Sequence, residues 1–224
     1  YQIFRDNGVF IGQSSVSDAS TRSVSANTKV VNHSWGTSTT NNTFSKSYLD
    51  IFHSTERAGY QNMVNNDIIQ VWATGNDGYA TPNLQAQLPY HYSNLKELWI
   101  AVTGIDSNGT EYSAANRCGI AADWCIAAPA VSVISTDEDN TSGYQVYSGT
   151  SMAAPHVTGA IAILIEAFPT LSAEQIIDRL FATASTSGLT DRDGNSYSSS
   201  VFGHGKIDLD AVSYTHLRAH ETTL

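Results

Sequence analysis

Charge is scarce in this chain of 224 residues, and positive charge scarcest: 14% of residues are charged, 11 Lys and Arg stand against 21 Asp and Glu, and the formal net charge is −10. No basic stripe exists to neutralise phosphates, so nucleic acid is excluded as a partner. Long apolar runs are missing as well. The stretch Ala160 to Ile165 stops at Glu166, with Pro169 soon after, which reads as a buried core helix rather than a membrane span, so no membrane contact is expected of this segment. Cysteine is limited to Cys118 and Cys125. Two thiols with no histidine partner make a poor metal site. The short loop between them contains Gly119 and suits a disulfide in an extracellular or periplasmic setting, with two free buried thiols as the alternative. No cofactor or metal is expected: Asp137, Glu138 and Asp139 read as a solvated loop tip in preference to a calcium site, although a structural calcium elsewhere stays open. The chain opens at Tyr1 in ordinary sequence with neither initiator Met nor leader, and the expectation is that an upstream part is not included.

What is present is enough apolar residue, 41%, for one globular domain with a sizeable core, or a large part of one. Its organising stretch is Gly149-Thr150-Ser151-Met152-Ala153-Ala154-Pro155-His156-Val157-Thr158-Gly159. A serine between a glycine turn and the start of a helix sits where free N–H groups and the helix dipole favour negative charge. That is a seat for a nucleophile. Pro155 is expected in the first helical turn, where a missing N–H is tolerated, and the small residues that follow let the helix lie close against a sheet. The plainer alternative is a buried small-residue helix with no chemistry.

Residues 1 to 28 show no strong period and read as loops with one short strand near Gly8 to Ile11. Lys29 to Gly36 then carries β-branched residues into a glycine, and the buried runs Asp67 to Ala73 and Leu98 to Gly104 read as parallel strands. The partly helical spacing of Phe44 to Val64 gives one crossover helix between the first two. Strand, helix, strand implies a doubly wound, mostly parallel α/β sheet flanked by helices. Val131 to Thr136 and Tyr144 to Tyr147 read as further strands, the second an edge. Pro169 stops the central helix, a capping box of Ser172 and Gln175 opens the next, and Ile176, Ile177, Leu180 and Phe181 line its buried face. Thr74-Gly75-Asn76-Asp77-Gly78 follows a strand, where ligands of open α/β sheets bind, although Asn-Asp-Gly is also ordinary turn chemistry.

The Gly149 to Gly159 motif resembles the nucleophile motif of the subtilisin-like serine peptidases, the subtilases. The resemblance runs from about Val30 to Leu209, including the closing Gly203-His204-Gly205 segment, and implies a subtilisin-like fold and a serine endopeptidase. It makes Ser151 the nucleophile and Asn76 the side-chain donor to the oxyanion, where a prepositioned amide stabilises developing charge. Ser34, Trp35 and Gly36 become the edge that takes an extended polypeptide substrate by strand addition, flanked by Ala73, Thr74 and Gly75. The alternative for that edge is an internal strand ending in a turn. The wording around Asn116-Arg117-Cys118 and Trp124 to Pro129 further resembles peptidase domains of Gram-negative autotransporters, which implies an extracellular or cell-surface location.

A serine nucleophile needs a base held by a carboxylate, and in subtilases both precede the oxyanion Asn. Nothing before Asn76 resembles those signatures; His33 lies in the substrate strand and His53 in the crossover helix. His156 is five residues from Ser151, about 140° round a helix, and reads as a packing residue. The expectation is therefore residues 1–211 as the C-terminal part of a catalytic domain, with negligible turnover alone. Residues 212–224, Val212-Ser213-Tyr214-Thr215-His216-Leu217-Arg218 onward, read as the translation of a sequencing-library adapter and are set aside, including His216 and His220. Two other functions are weighed. One is a pseudopeptidase that binds peptides on the Ser34 to Gly36 edge. The other is an esterase with the order Ser151, Asp191, His204, which lacks the second glycine of Gly-x-Ser-x-Gly.

Overall fold

The structure is a computed structural model and describes residues 13–38, 44–136 and 142–211. The expected strand at Gly8 to Ile11, the acidic tip Asp137 to Asp139 and the tail from Val212 lie outside these residues. Strands β1 (Val30–His33), β2 (Ile69–Ala73), β3 (Trp99–Ile105) and β4 (Cys125–Pro129) pair in parallel in the order β1-β2-β3-β4. Every residue of β2 and β3 is buried, as continuous apolar runs require when a sheet is covered on both faces. Consecutive residues of a strand point to opposite faces. Asn32 accepts a hydrogen bond from Thr158 of α4 (Thr150–Ala167), while the ring of His33 meets Tyr60 of α3 (Ser54–Val64), so the two helices lie on opposite faces of the sheet. This is the doubly wound α/β arrangement expected, with α4 lying across all four strands.

Three elements depart from the sequence reading. Residues 13–25 form a helix, α1 (Gln13–Ser25), where loops were expected. Its serine-rich sequence shows little apolar period, yet Val16 and Ala19 are buried, and Gly59 of α3 allows the close approach: a Cβ there would lie 3.1 Å from the Val16 carbonyl. The crossover is two helices rather than one, α2 (Lys46–Phe52) and α3, broken at His53, which leaves the helical region (φ −125°) and bonds Glu56 through Nδ1 at 2.8 Å. Pro155 is the sixth residue of α4, in its second turn rather than its first. The last strands, β5 (Val133–Thr136) and β6 (Tyr144–Tyr147), pair antiparallel as a separate hairpin. Helix α5 (Ala173–Ala182) opens on the reciprocal Ser172 and Gln175 cap and buries Ile176, Ile177 and Leu180, whereas Phe181 is half-buried and stacks on His204.

An aromatic stack joins sheet and helix on the α3 face. The His33 ring lies 3.8 Å from Trp72 in parallel, Trp72 stacks on Trp99 at 5.1 Å, and Tyr60 meets both tryptophans edge-on. Burial pushes the His33 imidazole down to about 4, against a weaker upward pull from its 2.9 Å bond to Gln70. The native state thus keeps His33 neutral where the unfolded chain takes up a proton. Stability should be independent of this group above about pH 6.5 and should fall between about pH 6.5 and 4, by up to about 1.4 kcal/mol per pH unit. Urea unfolding across that range is expected to show a flatter pH dependence for His33→Phe than for the native sequence; equal slopes would refute the assignment.

Candidate active site

Ser151 lies in the first turn of α4, half-buried, directly after the buried pair Gly149 and Thr150. A proline within a helix cannot donate to the carbonyl four residues before it. For Pro155 that carbonyl belongs to Ser151, and the hydroxyl of Ser34 donates to it instead, at 2.7 Å. The Ser151 hydroxyl in turn donates to the Ser34 carbonyl at 3.2 Å. The two serines thus bind the end of β1 to the helix start by a reciprocal pair. Asn32 extends the link, donating to the Ser34 hydroxyl at 2.9 Å.

The loop after β2 brings Asn76 to the same rim. Its Oδ1 accepts from the Thr150 N–H at 2.8 Å and the Thr150 hydroxyl at 3.2 Å, and the Gly75 N–H donates to that hydroxyl at 3.1 Å. The carboxamide is therefore oriented by the residue next to Ser151, and its exposed Nδ2 makes no hydrogen bond among the described residues. A Cβ at position 149 would touch this carboxamide at 3.4 Å from both Nδ2 and Oδ1, and the backbone there, at φ +156°, favours glycine.

Asn116 holds the loop in shape, and nothing in the sequence singles it out for that task. It donates to the Thr74 carbonyl, and its Oδ1 accepts from the Asp77 and Tyr79 N–H groups. Its backbone N–H bonds the Gly75 carbonyl, and its own carbonyl accepts from the hydroxyls of Thr74 and Thr103. Behind it, buried Glu111 binds Arg117 and Arg192, and Arg192 reaches the carbonyls of Gly78, Ser113 and Ala115. Burial works to raise the Glu111 carboxyl, but the two guanidinium groups outweigh it and hold it below the usual range. Cys118 and Cys125 are joined by a disulfide, with a Cα–Cα distance of 5.8 Å, just before β4.

The candidate substrate residues fall into two groups. Ser34, Trp35 and Gly36 continue β1 past its last ladder pair, His33 with Trp72. No hydrogen bond engages the backbone of Trp35 or Gly36 among the described residues, while the Trp35 ring packs edge-on against Trp72 at 5.3 Å. The carbonyls of Ala73, Thr74 and Gly75 are already taken by Asn83 and Asn116. The carbonyls of that second segment are thus engaged within the protein, unlike the backbone of Trp35 and Gly36.

No imidazole bonds Ser151 among the described residues. His33 bonds Gln70, His53 bonds Glu56, and His156 donates to the Met152 carbonyl at 2.8 Å. His204 stacks on Phe181 and bonds the Asp123 carbonyl, and Asp191 caps the turn at Asp193 and Asn195. Ser151, Asp191 and His204 share no hydrogen bond, which leaves the esterase order without a triad. No cluster of metal-ligating side chains occurs among the described residues.

Sheet and site define a parallel α/β protein with a serine at a helix start and an asparagine bonded to the residue before it, beyond the carboxyl ends of the strands. The chain belongs to the subtilase family, whose model matches residues 4–205. It is 33% identical over 165 residues to an extracellular serine protease of Serratia marcescens, an alignment covering 64% of this chain and 15% of that protein. It is 31% identical over 158 residues to the autotransporter lipoprotein NalP of Neisseria meningitidis serogroup B, covering 64% of this chain and 14% of the relative. The chain thus spans about a seventh of the length of these relatives. Among solved structures, the patellamide maturation protease PatA superposes with a TM-score of 0.75 at 20% identity, over 96% of this chain and 72% of that one, which shows the shared subtilisin-like fold.

Removing the Ser34 hydroxyl strands the Ser151 carbonyl and the Asn32 amide together. Ser34→Ala should lower stability by about 1–3 kcal/mol. Asn116→Ala, which removes the side-chain bonds to Thr74, Asp77 and Tyr79, should cost at least as much. Urea titrations of both variants check this, and a change below about 0.5 kcal/mol in either would show that water replaces the lost partner.

Proposed function

We propose that this chain carries the nucleophile and oxyanion half of an extracellular or cell-surface serine endopeptidase acting on polypeptides. The observation that supports the reading is the pair of hydrogen bonds that hold the Asn76 carboxamide by its Oδ1 to Thr150, the residue before Ser151, and leave its Nδ2 uncommitted. An extended peptide laid along the free backbone of Trp35 and Gly36 presents its carbonyl there. Attack by the Ser151 oxygen forms a carbon–oxygen bond and moves the carbonyl electrons onto oxygen, which Asn76 Nδ2 stabilises without reorganising. Neutrality of the small side chains around Ser151 suits this, since the N-terminal turn of α4 already favours the developing anion.

The proton released by Ser151 requires a base, and in this reading the family's His and its Asp partner supply it from chain outside the described residues. A second reading, peptide binding without hydrolysis, rests on the Ser151 hydroxyl donating to a carbonyl rather than to a base. A fluorophosphonate probe separates the two. A longer form of the protein carrying the base should label at Ser151, Ser151→Ala should not, and Asn76→Ala should slow peptide hydrolysis about tenfold or more. The 224-residue chain should label no faster than Ser151→Ala. Rapid labelling of the short chain would contradict the account of the base, and an unlabelled longer form would favour the binding protein.

A further inference from the structure

Trp35 and Gly36 run between two fixed points. Ser34 is tied to the start of α4 through Ser151. Thr37 is tied to a segment beyond the Asn76 loop: its carbonyl accepts from the Leu84 N–H at 3.1 Å, and its N–H donates to the Gln85 side-chain oxygen at 2.8 Å. The second tie depends on which way the Gln85 carboxamide faces. Gln85 is buried, and its Nε2 donates to Glu56 Oε1 at 3.0 Å while also reaching the Thr37 hydroxyl at 3.3 Å. Glu56, in the first turn of α3, is buried as well. Tyr60 donates to the same carboxylate oxygen at 2.6 Å, and the His53 ring meets the other at 2.8 Å. Burial, and then the Glu56 carboxylate, push the Tyr60 hydroxyl well above its ordinary value, so it keeps its proton and stays a donor. A carboxylate oxygen only accepts. Gln85 must therefore turn its NH2 toward Glu56, which aims its oxygen at the Thr37 N–H; the reversed amide would set oxygen against oxygen at one end and N–H against N–H at the other.

We propose that Glu56 is a positioning residue for the peptide edge: it fixes the Gln85 amide, the amide fixes Thr37, and Trp35 and Gly36 are thereby held extended between Ser34 and Thr37, ready to pair with a peptide. This rests on the reading that peptides lie along that edge. An edge tied at Ser34 alone has to be ordered by the peptide it binds, and fixing one or two residues at that moment weakens binding by about fivefold or more. The contacts join α3, the segment beyond β2 and the end of β1, with partners 29 and 48 residues apart in the chain. A buried carboxylate is a costly way to fill space. Its use here is directional: an apolar residue at 56 packs, but leaves Gln85 free to turn over.

Hydrogen exchange and peptide titration on the isotope-labelled 224-residue chain test this without needing a base. In the native chain the Thr37 amide should exchange at least about tenfold more slowly than those of Trp35 and Gly36. Acetyl-tetraalanine is then titrated while the Trp35 and Gly36 amide signals are followed. Glu56→Leu should speed Thr37 exchange and weaken the peptide about fivefold or more, and Gln85→Met, which removes the amide, should match it. Glu56→Gln should keep the affinity within about twofold, because its side-chain oxygen still accepts from Tyr60 and Gln85 while its NH2 turns to His53. A loss of general stability would instead speed exchange throughout β2 and β3 and leave the affinity of the folded fraction unchanged. Unaltered affinity in Glu56→Leu and Gln85→Met, or a loss in Glu56→Gln as large as in Glu56→Leu, overturns the role of Glu56 and leaves the edge reading intact. Should the variants misfold, the native chain still decides: a Thr37 amide that exchanges as fast as its neighbours overturns the tie. A peptide that never perturbs Trp35 or Gly36 overturns the edge reading and this role with it.

Discussion

Pro155 leaves the Ser151 carbonyl without its helical donor, and the Ser34 hydroxyl takes that place at 2.7 Å while its own carbonyl accepts from the Ser151 hydroxyl. Much of the candidate site depends on this exchange. It fastens the last residues of an open strand to the first turn of a helix that crosses the whole sheet. Position is thereby transmitted from a rigid body to an edge with no ladder partner of its own. The proline leaves the Ser151 carbonyl with no helical N–H, and the Ser34 hydroxyl is the donor that reaches it.

On the other side of the rim, order comes from polar side chains rather than from apolar packing. A loop of Thr, Gly, Asn and Asp cannot bury enough apolar surface to fix itself. Asn116 replaces that missing core with bonds to both ends of the loop, and Glu111 with its two arginines braces it from behind. Breaking such a buried ionic group by removing one partner costs far more than the group contributes as a whole. Glu111 therefore reads as a device for specificity of loop shape more than as a source of stability.

The strands were legible in the sequence because β2 and β3 are buried on both faces and so read as unbroken apolar runs. α1 was not, because its contact with α3 rests on Val16, Ala19 and a glycine, too few apolar positions to make a period. The break at His53 is hidden for a related reason: apolar spacing continues through it, and the kink shows only in the His53 backbone, at φ −125°, and its bond to Glu56. At the candidate site, Ser151, Asn76 and the Ser34 to Gly36 edge stand in stretches whose wording resembles that of the family. Asn83 and Asn116 do not. Their meaning lies in partners such as Ala73 and Thr74, which are distant in the chain or offer only a carbonyl, and a lone asparagine in a loop carries no pattern until those partners are known.

The exchange between Ser34 and Ser151 makes the open edge and the Ser151 hydroxyl mechanically one object. Anything that levers Trp35 and Gly36 outward, whether a poorly fitting chain or a neighbouring molecule annealing to the open strand, pulls on the carbonyl of Ser151 itself. Under the proposed function, fit of a peptide along the edge would then register directly at Ser151, and a badly seated chain would disturb the alignment that cleavage needs.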